Sequence, residues 1–134
     1  MHELASKSMT VYAAMARGLT AHGVDTIFGL IGDANLYMAD SFVRDCSGRF
    51  VAAAHEASAV LMALGYGQVA GKTGVASVTH GPGVTNTLTA LIEGVKGTSP
   101  MVLLAGDTAV ADKDNFQNVP QRELVLATGA GFEQ

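Results

Sequence analysis

Phe50-Val51-Ala52-Ala53-Ala54-His55-Glu56-Ala57-Ser58-Ala59-Val60-Leu61-Met62-Ala63-Leu64 joins a strand-sized apolar run to an apolar helix-like stretch through one carboxylate. A carboxylate at the end of a buried strand is costly unless something uses it. Burial raises a carboxyl pKa and makes the group a good proton donor or acceptor. A second turn of the same construction follows at Thr79-His80-Gly81-Pro82-Gly83-Val84-Thr85-Asn86. Together the two turns predict a site at the ends of parallel strands.

Outward from these turns, strands and helices alternate. Thr10 is placed to cap a helix reaching about His22, with Gly23 as its stop. A strand is predicted over 26–31, closed by Gly32-Asp33, then a helix over 36–43. The strand over 50–54 and a long helix over 57–70 follow, then a strand over 75–79, the glycine-rich turn and a helix over 84–96. A last strand over 100–105 ends at Gly106-Asp107, a polar loop covers 109–119, and a short helix follows Pro120. Strands apolar on both faces and separated by helices predict an α/β fold, a doubly wound parallel sheet with helices on both faces. Ligands of such sheets sit beyond the carboxyl ends of the strands. Gly32-Asp33, His55-Glu56, His80 to Gly83 and Gly106-Asp107 all fall there. The stop at Gln134 reads as a C-terminal truncation, because an α/β unit ordinarily closes with a further helix and strand.

Composition bounds the reading. The 134 residues allow one domain. An apolar content of 49% with 15% charged residues excludes disorder and predicts burial against a partner. A net charge of −4 with no basic run argues against nucleic acid, and 6% aromatics without Trp gives no stacking platform for bases. Cys46 is the only cysteine, which excludes an internal disulfide and fits a cytoplasmic setting. Met1 to Lys7 lacks the apolar core of a signal peptide, and no apolar run approaches the ~20 residues of a membrane span.

Several chemistry-bearing patterns fail on context. Gly65-Tyr66-Gly67-Gln68-Val69-Ala70 fits a dinucleotide fingerprint, but it lies late in a helix instead of between a strand and a helix. Close helix packing through Ala63, Gly65 and Gly67 is the better reading. His55-Glu56 starts like a zinc-protease helix, yet Ala59 stands where the second His belongs. His2, His22, His55 and His80 have no ligand spacing, so no metal site is expected. Neither a Gly-x-Ser-x-Gly elbow nor a phosphate-binding P-loop is present, because Tyr66 occupies the first glycine position before Gly71-Lys72-Thr73. The Thr79–Asn86 turn has two readings: a tight connection capped by Thr85 or Asn86, or a ligand wall where Gly81 and Gly83 permit close backbone approach.

The order and spacing of His55-Glu56, Gly65 to Val75 and Thr79 to Asn86 resemble one family closely. With Gly23-Val24, Phe28 to Gly32, Pro100-Met101-Val102 and Phe116-Gln117, the chain from about Met9 to Gln134 is similar to the pyrimidine-binding domain of thiamine diphosphate enzymes. These belong to the superfamily of acetolactate synthase and benzoylformate decarboxylase. The resemblance implies that Glu56 hydrogen-bonds N1′ of the aminopyrimidine and favours the imino tautomer, whose exocyclic nitrogen takes the proton from thiazolium C2. A positioned carboxyl group of matched pKa is what such a transfer needs. By the same resemblance Gly32, Pro82 and Asn86 are cofactor-binding positions, and Gln117 faces the active centre. Three positions depart from acetolactate synthase: Ile31 replaces a Pro, Asp33 a small residue and His80 a Ser. His80 beside a keto-acid site would steer protons or bind the substrate carboxylate. The implied activity is decarboxylation or carboligation of a 2-keto acid.

The family's diphosphate–Mg²⁺ motif, Gly-Asp-Gly followed by Asn-Asn, is absent, and Gly106-Asp107-Thr108 does not supply it. The resemblance places that motif on a separate domain, with the site between domains of two subunits. The chain is therefore expected to be an incomplete pyrimidine-binding domain over 1–134, inactive alone. Its implied partners are a diphosphate-binding domain or subunit, in a homodimer or homotetramer. FAD is implied only for a full enzyme of the acetolactate synthase type, through a middle domain. The alternative readings are a non-catalytic α/β partner-binding module and the small subunit of a split 2-keto acid decarboxylase.

Overall fold

A computed structural model describes residues 8–112 and 114–134. The signal-peptide reading of Met1 to Lys7 and the loop position of Lys113 lie outside the described residues. Helix α1 spans Val11–Ala21, β1 Thr26–Gly29, α2 Leu36–Arg44, β2 Arg49–Ala52 and α3 Glu56–Ala70. Strand β3 spans Gly74–Val78, α4 Pro82–Thr85, α5 Leu88–Lys96, β4 Met101–Ala105 and α6 Gln121–Ala127.

The four strands form one parallel sheet in the order β2-β1-β3-β4. Side chains alternate across it, because successive strand residues face opposite ways. Ile27 and Val75 face one side and pack with Ala16 of α1 and Met38 and Phe42 of α2. Phe28, Ala76 and Val78 face the other and pack with Ala59, Val60, Ala63 and Leu64 of α3, Ala90 and Leu91 of α5, and Val125 of α6. Each fully buried large side chain, such as Phe42 or Ile27, contributes about 1.5–3 kcal/mol over an exposed one. This is the doubly wound α/β arrangement expected from the alternation of elements. From β1 the chain moves outward to β2, then returns past β1 to β3. The topological switch point therefore lies between β1 and β3.

Three expectations need correction. The strand before Glu56 is an edge strand with partly exposed residues, so Glu56 does not end a strand buried on both faces. Local composition cannot tell an edge from a centre, and Phe50 to Ala54 looked central because it is wholly apolar. The helix over 84–96 is two helices. The chain turns out of α4 at Asn86 and restarts at Leu88, while the Thr87 hydroxyl donates to the Val84 carbonyl at 2.7 Å. Such back-bonding competes with helix continuation. Finally, the small residues of α3 serve the sheet more than a second helix. Ala63 and Gly67 sit against Gly74 at the start of β3, while Gly65 is exposed with open space around it. The helix contact of α3 is made at Leu64, against Gly94 of α5.

Candidate functional site

All four strand ends with polar turns fall on one end of the sheet, because every strand runs the same way. Glu56 is the first residue of α3. His55 before it is extended, and its Nδ1 accepts the Ala57 N–H at 3.2 Å, capping the helix. A carboxylate in that first turn is favoured by the free N–H groups and the positive end of the helix dipole. Glu56 is half-buried. Its Oε2 accepts a hydrogen bond from Asn86 Nδ2 at 3.0 Å. Its Oε1 accepts none from the described residues. Asn86 can reach it because the chain leaves the helical path there. Neither Thr85 nor Asn86 caps the helix. Thr85 Oγ1 donates to the Pro82 carbonyl at 3.0 Å, and Pro82 occupies the first position of α4.

A second group sits at the switch point. Gly32 packs so closely on Thr79 that an added Cβ would lie 2.6 Å from the threonine Cβ. Its N–H donates to Asn35 Oδ1 at 2.8 Å. Asn35 is buried, and its Nδ2 donates to the Leu30 carbonyl and to Ser77 Oγ, both at 3.1 Å, tying the turn after β1 to β3. Thr79 Oγ1 donates to Asp33 Oδ1 at 2.9 Å. That bond, with a backbone N–H and the nearby His80, holds the Asp33 carboxyl below its ordinary value of 3.8. His80 is buried, with Nδ1 3.9 Å from Asp33 Oδ1 and 3.5 Å from Thr79 Oγ1.

A third group joins the turns after β3 and β4. Gly81 has φ +63°, and any side chain there would collide with the Gln117 carbonyl, so only glycine fits. Its buried N–H donates to Gln121 Oε1 at 2.8 Å. Gln121 Nε2 in turn donates to the Gly106 carbonyl at 3.0 Å and to Asp107 Oδ1 at 3.2 Å. Gln117 is half-buried, and its N–H donates to Asn115 Oδ1 at 2.9 Å.

The structure thus gathers Gly32, Glu56, His80, Pro82, Asn86 and Gln117 at one end of the sheet, where Asn86 joins Glu56 through its side chain and the Pro82 carbonyl through its N–H, and Gly81 packs on the Gln117 backbone. Sequence reasoning missed Asn35, Ser77 and Gln121, which hold the turns in place. Among the described residues no three His, Cys, Asp or Glu side chains converge on a common point.

Residues 9–128 match the family of thiamine pyrophosphate enzymes at their N-terminal TPP binding domain. The chain belongs to that family. This TPP binding domain is 36% identical over 118 residues to a sulfoacetaldehyde acetyltransferase of Rhodobacter capsulatus, covering 87% of the chain and 20% of that protein. It is 35% identical over 115 residues to the large subunit of acetolactate synthase isozyme 2 of Escherichia coli, covering 84% of the chain and 21% of that protein. A probable 2-ketoarginine decarboxylase of Pseudomonas aeruginosa is 38% identical over 102 residues, covering 74% of the chain and 18% of that protein. The chain spans about a fifth of the length of these curated relatives. No described helix is long and apolar enough to cross a membrane.

The donor set at the strand ends fits one part of thiamine diphosphate. A carboxyl group oriented by an amide, with one oxygen open, suits a heteroaromatic ring nitrogen with which it can share a proton. Among the described residues at this end, Arg122 follows Gln121 in α6, with its guanidinium 5.6 Å from the centre of the Phe132 ring. Arg44, Arg49, Lys72 and Lys96 lie at or before strand starts, on the opposite end of the sheet.

Proposed function

We propose that this domain holds the aminopyrimidine half of a thiamine diphosphate site in an enzyme acting on 2-keto acids, by decarboxylation or carboligation. The observation that carries the reading is Glu56, fixed at the start of α3 by Asn86 through Oε2 while Oε1 stays open. When bound, the cofactor supplies a carbon nucleophile and an electron sink for the loss of CO₂. Glu56 shares a proton with the ring nitrogen, and Asn86 keeps its carboxyl group from rotating away. Gly32 and the Gly81-Pro82 turn let backbone approach the ring. His80 and Gln117 line the substrate side, with His80 positioned by the Asp33–Thr79 pair.

Mg²⁺ and the diphosphate are assigned to a second domain or subunit, in an assembly of two or four full proteins. FAD, where used, contacts other parts of the full enzyme, and the protein works in the cytoplasm. The relatives' names favour this reading over a non-catalytic module, since they are acetyl-transferring, acetolactate-forming and decarboxylating enzymes.

The test is Glu56→Gln in the polypeptide or complex that carries the diphosphate-binding domain. Losing a positioned acid–base group lowers turnover by about 10²–10⁴-fold. Near-normal turnover in a folded variant removes the assignment.

A further inference from the structure

Three turns at the carboxyl end of the sheet carry the proposed cofactor positions Gly32, Glu56 and Pro82, and each turn is held by a different side chain. After β1, Asn35 accepts the Gly32 N–H at 2.8 Å. After β3, Gln121 accepts the Gly81 N–H at 2.8 Å. Both amides are buried, and each also bonds a neighbouring segment, Asn35 to Ser77 and Gln121 to Gly106. The turn after β2 has no such amide. Because β2 is an edge strand, the sheet supports this turn on one side only. The last backbone bond tying it to the sheet runs from the Ala53 N–H to the Gly29 carbonyl, at 2.8 Å. Beyond it, His55 Nδ1 accepts the Ala57 N–H at 3.2 Å and caps α3.

Glu56 lies between the two partners of that bond. Its carboxyl group is held through one oxygen by Asn86, from the end of α4. Asn86 fixes the tip of the side chain, and the cap fixes the backbone from which it springs. Nδ1 offers a lone pair to the Ala57 N–H only when the ring is uncharged and carries its proton on Nε2. We infer that His55 is a positioning residue: as the cap of α3, in its Nε2–H form, it seats Glu56 for proton sharing with the aminopyrimidine nitrogen. The inference rests on the cofactor reading above. The position needs an acceptor and not a ring. A side chain without one leaves the Ala57 N–H unpaired and frays the first turn of α3. Glu56 then keeps its chemistry and loses its place. A displacement of about 1 Å at a reacting group can cost about 10²-fold in rate. Asparagine is among the best helix-capping acceptors, so His55→Asn keeps the seat.

The test uses the polypeptide or complex that carries the diphosphate-binding domain, loaded with thiamine diphosphate and Mg²⁺. Its first readout is exchange of the thiazolium C2 proton in deuterated water, which needs no 2-keto acid. His55→Leu should slow this exchange and turnover alike by about tenfold to 10²-fold, while the KM of the 2-keto acid stays within about twofold. His55→Asn should bring both rates back to within about threefold of the unaltered protein. Exchange in His55→Leu within about twofold of the unaltered protein overturns the proposal, and so does a His55→Asn variant as slow as His55→Leu. Should His55→Leu fail to fold, nitrogen NMR of isotope-labelled histidine in the unaltered protein decides. A His55 proton on Nε2, with Nδ1 accepting, supports the proposal, and a proton on Nδ1 overturns it. Glu56→Gln separates the two readings. Slow exchange in Glu56→Gln beside normal exchange in His55→Leu removes only the role of His55. Normal exchange in Glu56→Gln removes the cofactor reading, and the role of His55 with it.

Discussion

The two ends of the sheet handle charge in opposite ways. At the amino end, Asp25 accepts hydrogen bonds from Lys72 Nζ and Tyr66 Oη, both at 2.7 Å. Lys72 first, and Tyr66 after it, hold the Asp25 carboxyl well below the usual carboxylate range. Arg49 donates through Nη2 to Thr26 Oγ1 at 3.0 Å. A cavity of about 280 Å³ lies there, lined by this network and by His22 and Thr73. At the carboxyl end, Asp33, Glu56 and Asp107 are met by Thr79, Asn86 and Gln121, and no Lys or Arg of the described residues pairs with them. One end satisfies its charges internally. The other holds carboxylates in place with neutral donors and leaves their charge for something else to meet.

The largest expected effect is the Glu56→Gln rate loss. It sharpens the contrast if stability stays put, because glutamine keeps an acceptor oxygen for Asn86. Urea unfolding should then differ by less than about 0.5 kcal/mol, as for ordinary surface changes. A collapse of the fold would make Glu56 structural, like the groups at the amino end.

Next in size is Gln121→Leu. It removes the acceptor of the buried Gly81 N–H and should cost about 1–3 kcal/mol in equilibrium unfolding. A neutral outcome would mean that the turns after β3 and β4 are not held by this side chain.

Asp25→Asn tests the amino end and should cost less than about 1 kcal/mol, shrinking further at high salt, because the pair with Lys72 is half exposed. A cost above that of Gln121→Leu would reverse the ranking of the two ends.

The smallest effect is a shift in pH dependence. Asp33 titrates below 3.8 in the folded chain. Its contribution to stability is therefore present above the unfolded value and is lost as pH falls through the folded one. Thr79→Val removes the main cause of the lowering, so the Asp33 midpoint, followed by carboxyl-carbon NMR, should rise toward 3.8. An unchanged midpoint would assign the lowering to His80 or the backbone instead.

Much of this contrast was legible before the structure. The alternation of apolar runs and glycine turns carried the element order, and the turns carried Gly32, Glu56, His80 and Asn86 to one end of the sheet. Strand order was not legible, since Phe50 to Ala54 is as apolar as a central strand. The restart between α4 and α5 was hidden because residues 84–96 suit a single helix, and only the Asn86–Glu56 and Thr87–Val84 bonds divide it. Asn35 and Gln121 left no pattern either. A lone buried amide is recognised by the partners that surround it, and those partners come from distant parts of the chain.

Gln121 has one further consequence. It grips Asp107 and Gly106 at one foot of the loop that precedes α6 and stands at the other foot itself, while the Gln117 backbone rests on Gly81. The loop is thus cinched at its base, and its apex around Val110 and Asp112 stands in solvent. Extra residues grafted at that apex would lengthen the rim of the strand-end face without moving the turns beneath it. Related proteins could in this way differ in what they admit to the face by changing one loop tip, while the four strand ends keep their positions.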